Sequence, residues 1–118
     1  MGTIKPHAYS YAIQGVQVKP LSEDGREVSI LYNGLLARSG AGQVYLHFGF
    51  GENGNWREIK IQPMERSNGG WEKTVRLEGD NQLNFCFKDG VENWDNNSGN
   101  NWAYRISCRD RGRTPKSP

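Results

Sequence analysis

The chain has 118 residues, 35% hydrophobic and 11% aromatic, with 15 glycines and a formal net charge of +2. That length suits one domain able to bury about two thirds of its unfolded surface, and the near-neutral balance leaves no general case for a nucleic-acid partner. No apolar run approaches the roughly 20 residues of a membrane helix, and Met1 to His7 lacks the charged-then-apolar pattern of a signal peptide.

In chain order, residues 1–8 read as a flexible leader. Tyr9-Ser10-Tyr11-Ala12-Ile13-Gln14-Gly15-Val16-Gln17-Val18 alternates and predicts a first strand, irregular at Gly15 and broken by Lys19-Pro20. Ser22 to Gly25 is a turn. Glu27 to Tyr32 is a second strand, closed by Asn33-Gly34. Leu35 to Gly42 is glycine-bounded and too brief for a stable helix, with room for a single turn. Gln43 to Phe50 is the clearest strand: Val44, Leu46, Phe48 and Phe50 share one face, Tyr45 and His47 the other. Gly51 to Asn55 reads as a loop that Trp56 closes. Arg57 to Gln62 alternates again and ends at Pro63, and Met64 to Gly70 reads as a turn region. Trp71 to Leu77 and Gln82 to Phe87 are strands, the second with Leu83, Phe85 and Phe87 on one face. Trp102 to Cys108 is the last.

About seven short strands at spacings of roughly 8–15 residues, with turn residues between them and no convincing helix, predict an all-β fold, an immunoglobulin-like antiparallel β-sandwich over residues 9–108. Residues 109–118 are polar, basic and proline-containing and are expected to form a disordered basic tail. If the strand near 83–88 pairs with that near 102–108 so that residue 88 meets residue 102, Cys86 faces about residue 104 and Cys108 about residue 82. That is too far apart for a disulfide, so free thiols are expected. No C-x-x-C spacing suggests zinc.

The segment from Phe85 to Trp102 starts as a strand and turns into an asparagine-dense loop with Trp94 in its middle. A tryptophan among Asp and Asn is costly to leave wet unless something flat and partly apolar lands on it. Sugar rings are such objects, and Asn and Asp can hydrogen-bond their hydroxyls. Trp94 is therefore the least core-like of the four tryptophans. Trp71, in phase with Val75 and Leu77, and Trp102, in phase with Tyr104 and Ile106, read as core. His47 lies off the apolar face of its strand, and Trp56 ends the loop that follows it. Asp95-Asn96-Asn97-Ser98-Gly99-Asn100 is rich in oxygen donors but fails the EF-hand spacing, because glycine falls fifth from Asp95 and the twelfth residue is Ile106. No metal or other cofactor is expected. No nucleophile elbow, zinc-protease helix or phosphate loop appears. Asp89, Glu92 and Asp95 sit in a short exposed loop that would not dehydrate one of them for glycoside hydrolysis. The chain is not expected to be an enzyme.

Residues from about Ser29 to Ile106 resemble the starch-binding carbohydrate-binding modules of families 25 and 53. The resemblance is carried by Tyr32-Asn33-Gly34, Val44-Tyr45-Leu46-His47-Phe48-Gly49, Trp56, Met64, Gly70-Trp71-Glu72-Lys73-Thr74-Val75, Leu83 to Gly90, Trp94-Asp95-Asn96-Asn97 and Asn101-Trp102. It implies a sandwich without activity of its own that binds α-1,4-glucans such as starch, glycogen or maltooligosaccharides. His47, Trp56 and Trp94 would form the platform, helped by Asp95, Asn96 and Asn97. A glucan-active enzyme is the implied partner, with no membrane contact and a monomeric state expected. The alternative is a protein-interaction or scaffold module of a glycogen- or starch-handling assembly. Location follows from context: cytoplasmic if the chain is complete, extracellular if it belongs to a secreted enzyme.

Overall fold

The computed structural model describes residues 15–106. The predicted leader 1–8, strand positions 9–14, the tail 109–118 and Cys108 lie outside the described residues. Within them the alternating segments become strands: β1 (Val16–Pro20), β2 (Glu27–Tyr32), β3 (Val44–Glu52), β4 (Asn55–Pro63), β5 (Glu65–Ser67), β6 (Gly70–Arg76), β7 (Gln82–Asp89), β8 (Trp94–Asp95) and β9 (Trp102–Arg105), with one helical turn, α1 (Leu35–Arg38). One sheet has the order β1-β2-β6-β5. The other runs β4-β3-β7, and the free edge of β7 is shared by β9 and β8. Every pairing is antiparallel. The expected all-β sandwich is what forms.

The core follows from period-two alternation. Val16, Val18, Val28, Ile30, Tyr32, Trp71 and Val75 of the first sheet are buried in one cluster with Val44, Leu46, Phe48, Phe50, Leu83, Phe85 and Phe87 of the second. Trp102 is buried against β7, stacked on Phe85 at 6.3 Å between ring centroids and edge-on to Phe87 at 5.3 Å. The core reading of Trp71 and Trp102 stands, since they are 5% and 4% exposed.

Four details depart from the sequence reading. The first strand does not stop at Lys19-Pro20; Pro20 pairs with Val28, because β1 is an edge strand where a missing N–H costs no ladder bond. Met64 to Gly70 is not merely a turn, since β5 pairs with β6 there. The loop before Trp56 shrinks to Asn53-Gly54, as Glu52 and Asn55 are already partners. The last ladder is shifted by three residues: Trp102 meets Phe85 rather than residue 88, because Phe87 and Lys88 are taken by Asp95 and Trp94. Cys86 therefore does not face residue 104; it pairs with His47 of β3 and is a free, buried thiol.

Trp71→Ala should remove a large core side chain and lower stability by about 3–5 kcal/mol. A denaturant titration measures this, and a loss under about 1 kcal/mol would show that the β6 end of the core is not close-packed.

Candidate functional site

The outer face of the second sheet gathers three of the sequence-predicted residues. His47 stands there by simple alternation along β3. Trp56 arrives by a less obvious route. From the Phe48–Lys60 pair to the Phe50–Arg57 pair, β3 advances two residues and β4 three. Glu58, at φ +53, marks this bulge. Partners across an antiparallel ladder share a face. With the extra residue Trp56 pairs with Gly51, on the side of His47. Continuing the His47–Ile61 register without it would set Trp56 opposite Glu52, facing the other way.

Gly49, between His47 and Gly51 on that face, makes room for the ring. A Cβ there would lie 2.9 Å from Trp56 Cβ and 3.0 Å from its Cε3, closer than carbon atoms pack.

Trp94 is delivered by a tight turn. The Asp89 carboxylate accepts from the backbone N–H groups of Val91 and Asn93, both at 2.9 Å, and from Asn93 Nδ2 at 2.8 Å. The Asn93 bonds hold the Asp89 carboxyl below the ordinary carboxylate range, and the Val91 amide adds to this. The chain then re-enters the sheet at β8, where Trp94 pairs with Lys88. Asp95 is anchored to the opposite sheet: Tyr32 donates its O–H to Asp95 Oδ2 at 2.6 Å and accepts the Leu36 N–H at 2.9 Å. Burial first, and then the Asp95 bond, push the Tyr32 phenol well above its usual pKa.

Three rings thus converge. His47 lies 5.4 Å from Trp56 with planes 38° apart, and 5.3 Å from Trp94 with planes 75° apart. Trp94 is 43% exposed. Together with Asn53, Gly54, Ile59, Cys86, Asn96 and Asn101 they line an open depression of about 330 Å³. Amides rim it. Asn53 Oδ1 accepts from Trp56 Nε1 at 3.1 Å and from Asn101 Nδ2 at 3.2 Å, while Asn53 Nδ2 donates to the Asn100 carbonyl at 3.0 Å. Asn53 so orients one indole and ties the β3–β4 hairpin to the loop after β8. Burial, and secondarily the Lys88 charge, hold His47 below its ordinary pKa of 6.5, so the imidazole is neutral at neutral pH.

The remaining predicted residues divide. Asn96 lines the depression and its Oδ1 accepts from the Gly99 N–H. Asp95 is engaged with Tyr32. Asn97 donates to the Asn101 carbonyl at 3.0 Å and stands at φ +58, followed by Ser98 at +56 and Gly99 at +93, a left-handed run that asparagine and glycine tolerate. Asn53, Ile59, Cys86 and Asn101 were not singled out in the sequence. For Cys86 the signal was there, since it alternates with Phe85 and Phe87 and so faces outward.

Residues 28–85 match the starch/carbohydrate-binding module of family 53. The match bears out the resemblance to family 53, though not that to family 25. It includes His47 and Trp56 and ends before Trp94. An alpha-amylase of Clostridium acetobutylicum is 42% identical over 80 residues, which is 67% of this chain and 10% of that protein. The chain thus spans about a tenth of the curated relative it matches. No solved structure matches at a significant level.

Two measurements test the geometry of the site. Gly49→Ala should displace the Trp56 ring, changing the near-ultraviolet circular dichroism while leaving the far-ultraviolet strand signal; an unchanged aromatic signal would disprove the contact. His47 binds its proton less well folded than unfolded, so its stabilising contribution is full above the unfolded value of 6.5 and is lost as pH falls from there toward the folded value. Urea midpoints should therefore drop between about pH 7.5 and 5, and drop less in His47→Gln.

Proposed function

We propose that the module binds α-1,4-glucans without catalysing any reaction on them, using Trp56 and Trp94 as stacking surfaces and His47 between them as a polar contact. The observation that carries this reading is the angled, partly exposed arrangement of two indoles about one imidazole, rimmed by amides. Planes set at an angle suit a curved α-glucan, whereas a flat cellulose chain favours coplanar rings. Asn53, Asn96 and Asn101 offer hydroxyl partners at the rim.

If each indole removes about 100 Å² of apolar surface, gross stabilisation is about 5 kcal/mol at about 25 cal/mol per Å². Loss of translational freedom takes back several kcal/mol, leaving a Kd of about 10 µM to 1 mM. Binding that weak becomes useful when linked to a second contact or an enzyme. The similarity to part of an alpha-amylase supports a glucan-active chain as that partner, and an extracellular location if that chain is secreted.

One observation favours the rival reading, a protein-interaction face. Ile59 and Ile61 on β4 are 54% and 49% exposed, and Ile61 pairs with His47, so apolar surface continues beyond the indoles.

Titration with maltoheptaose, followed by tryptophan fluorescence with cellohexaose as control, separates the two. Saturation by the α-linked sugar alone, abolished in Trp56→Ala and in Trp94→Ala with the fold retained, is expected. No response to either sugar at millimolar concentration would sink the glucan reading and turn attention to a protein partner.

A further inference from the structure

Beside the imidazole, on the neighbouring strand, lies a group with no assigned role. Cys86 pairs with His47 across β3 and β7, and its Sγ is 3.4 Å from His47 Nδ1, within hydrogen-bonding reach for sulfur. The thiol is 4% exposed and has no other hydrogen-bond partner among the described residues. Burial first, and then the Asp95 charge, push its pKa up to about 12, so it is present as S–H. A neutral imidazole has one donor nitrogen and one acceptor nitrogen, and the partner of one decides the state of the other. A nitrogen lone pair is a better acceptor than a thiol sulfur, so the favourable arrangement is S–H donating to Nδ1. The proton of the ring then sits on Nε2, which has no partner among the described residues.

We propose that Cys86 is a positioning residue for sugar recognition: its thiol holds His47 in the Nε2–H tautomer, so that the platform presents an N–H donor to a glucan hydroxyl or ring oxygen. This deepens, and rests on, the glucan reading of the same site. Cys86 itself need not touch the sugar. The groups that act electrostatically on the pair are Lys88 on His47 and Asp95 on Cys86. Lys88 is itself paired with Glu92 at 3.2 Å, and Asp95 is bonded to Tyr32.

Two readouts on the intact chain test this. Long-range proton–nitrogen correlation spectra, with the His47 signals assigned by their loss in His47→Gln, report the tautomer without any ligand. Wild type should show protonated Nε2 and bare Nδ1. Cys86→Ser keeps a donor in place and should keep both the tautomer and the wild-type maltoheptaose affinity. Cys86→Ala should show a mixed tautomer and bind about two- to threefold more weakly, in proportion to the fraction of Nε2–H that remains, with the indole stacking intact.

A wild-type spectrum with the proton on Nδ1 overturns the proposal whatever the variants do. So does Cys86→Ala with unchanged tautomer and affinity. Wild type that shows the Nε2–H tautomer yet binds no maltoheptaose overturns the glucan reading, and with it the proposed role of the tautomer. A mixed tautomer in Cys86→Ala would then still establish the sulfur contact.

Discussion

Strand β3 has to satisfy two surfaces at once, and the rest of the structure depends on how it does so. It is an interior strand of its sheet, paired with β4 on one side and β7 on the other. Its inner residues, Val44, Leu46, Phe48 and Phe50, complete the core. Its outer residues, Tyr45, His47, Gly49 and Gly51, make the floor on which the site is assembled. A one-residue slip would exchange the two sets and destroy core and site together. The burial of four apolar side chains thus sets the orientation of the His47 imidazole on that face.

The other two rings come from opposite sides of this floor, each by a local device. On the β4 side a bulge changes the parity of the strand, and a glycine leaves space for the indole to lie across β3. On the β7 side, an aspartate that collects three hydrogen bonds closes the turn before Trp94, and Asp95 pins the segment to Tyr32 of the facing sheet. Asn53 and Asn101 then connect the two sides. Much of the polar character of these loops is spent on the protein's own backbone and side chains. That is the cost of holding exposed aromatic rings in place, and a ring already held loses less entropy on making any contact.

The neutral imidazole suits this arrangement. A charged histidine would need water or an anion nearby, whereas a neutral one tolerates contact with two indoles and a thiol. Lys88, whose ammonium is 5.6 Å from the ring centroids of both Tyr45 and Trp94, adds a positive charge that further disfavours protonation of His47.

The sequence by itself determined the sandwich, most strand positions, and which tryptophans belong to the core. These depend on period-two alternation, which is local, and on the burial of apolar side chains, which is strong. It also marked His47, Trp56 and Trp94, because each is aromatic yet off the apolar face or set among polar neighbours. The contacts of Asn53, Asn101 and Cys86, the pairing in β5 and the register of β9 were decided only by tertiary structure. Each depends on which strand edge is already occupied, or on an extra residue in a partner strand. Alternation counts residues along one strand and carries no information about the count on the next. For Asp95 and Asn97, composition showed polar groups in the right loop, but only the fold showed that their bonds are made inward, to Tyr32 and Asn101.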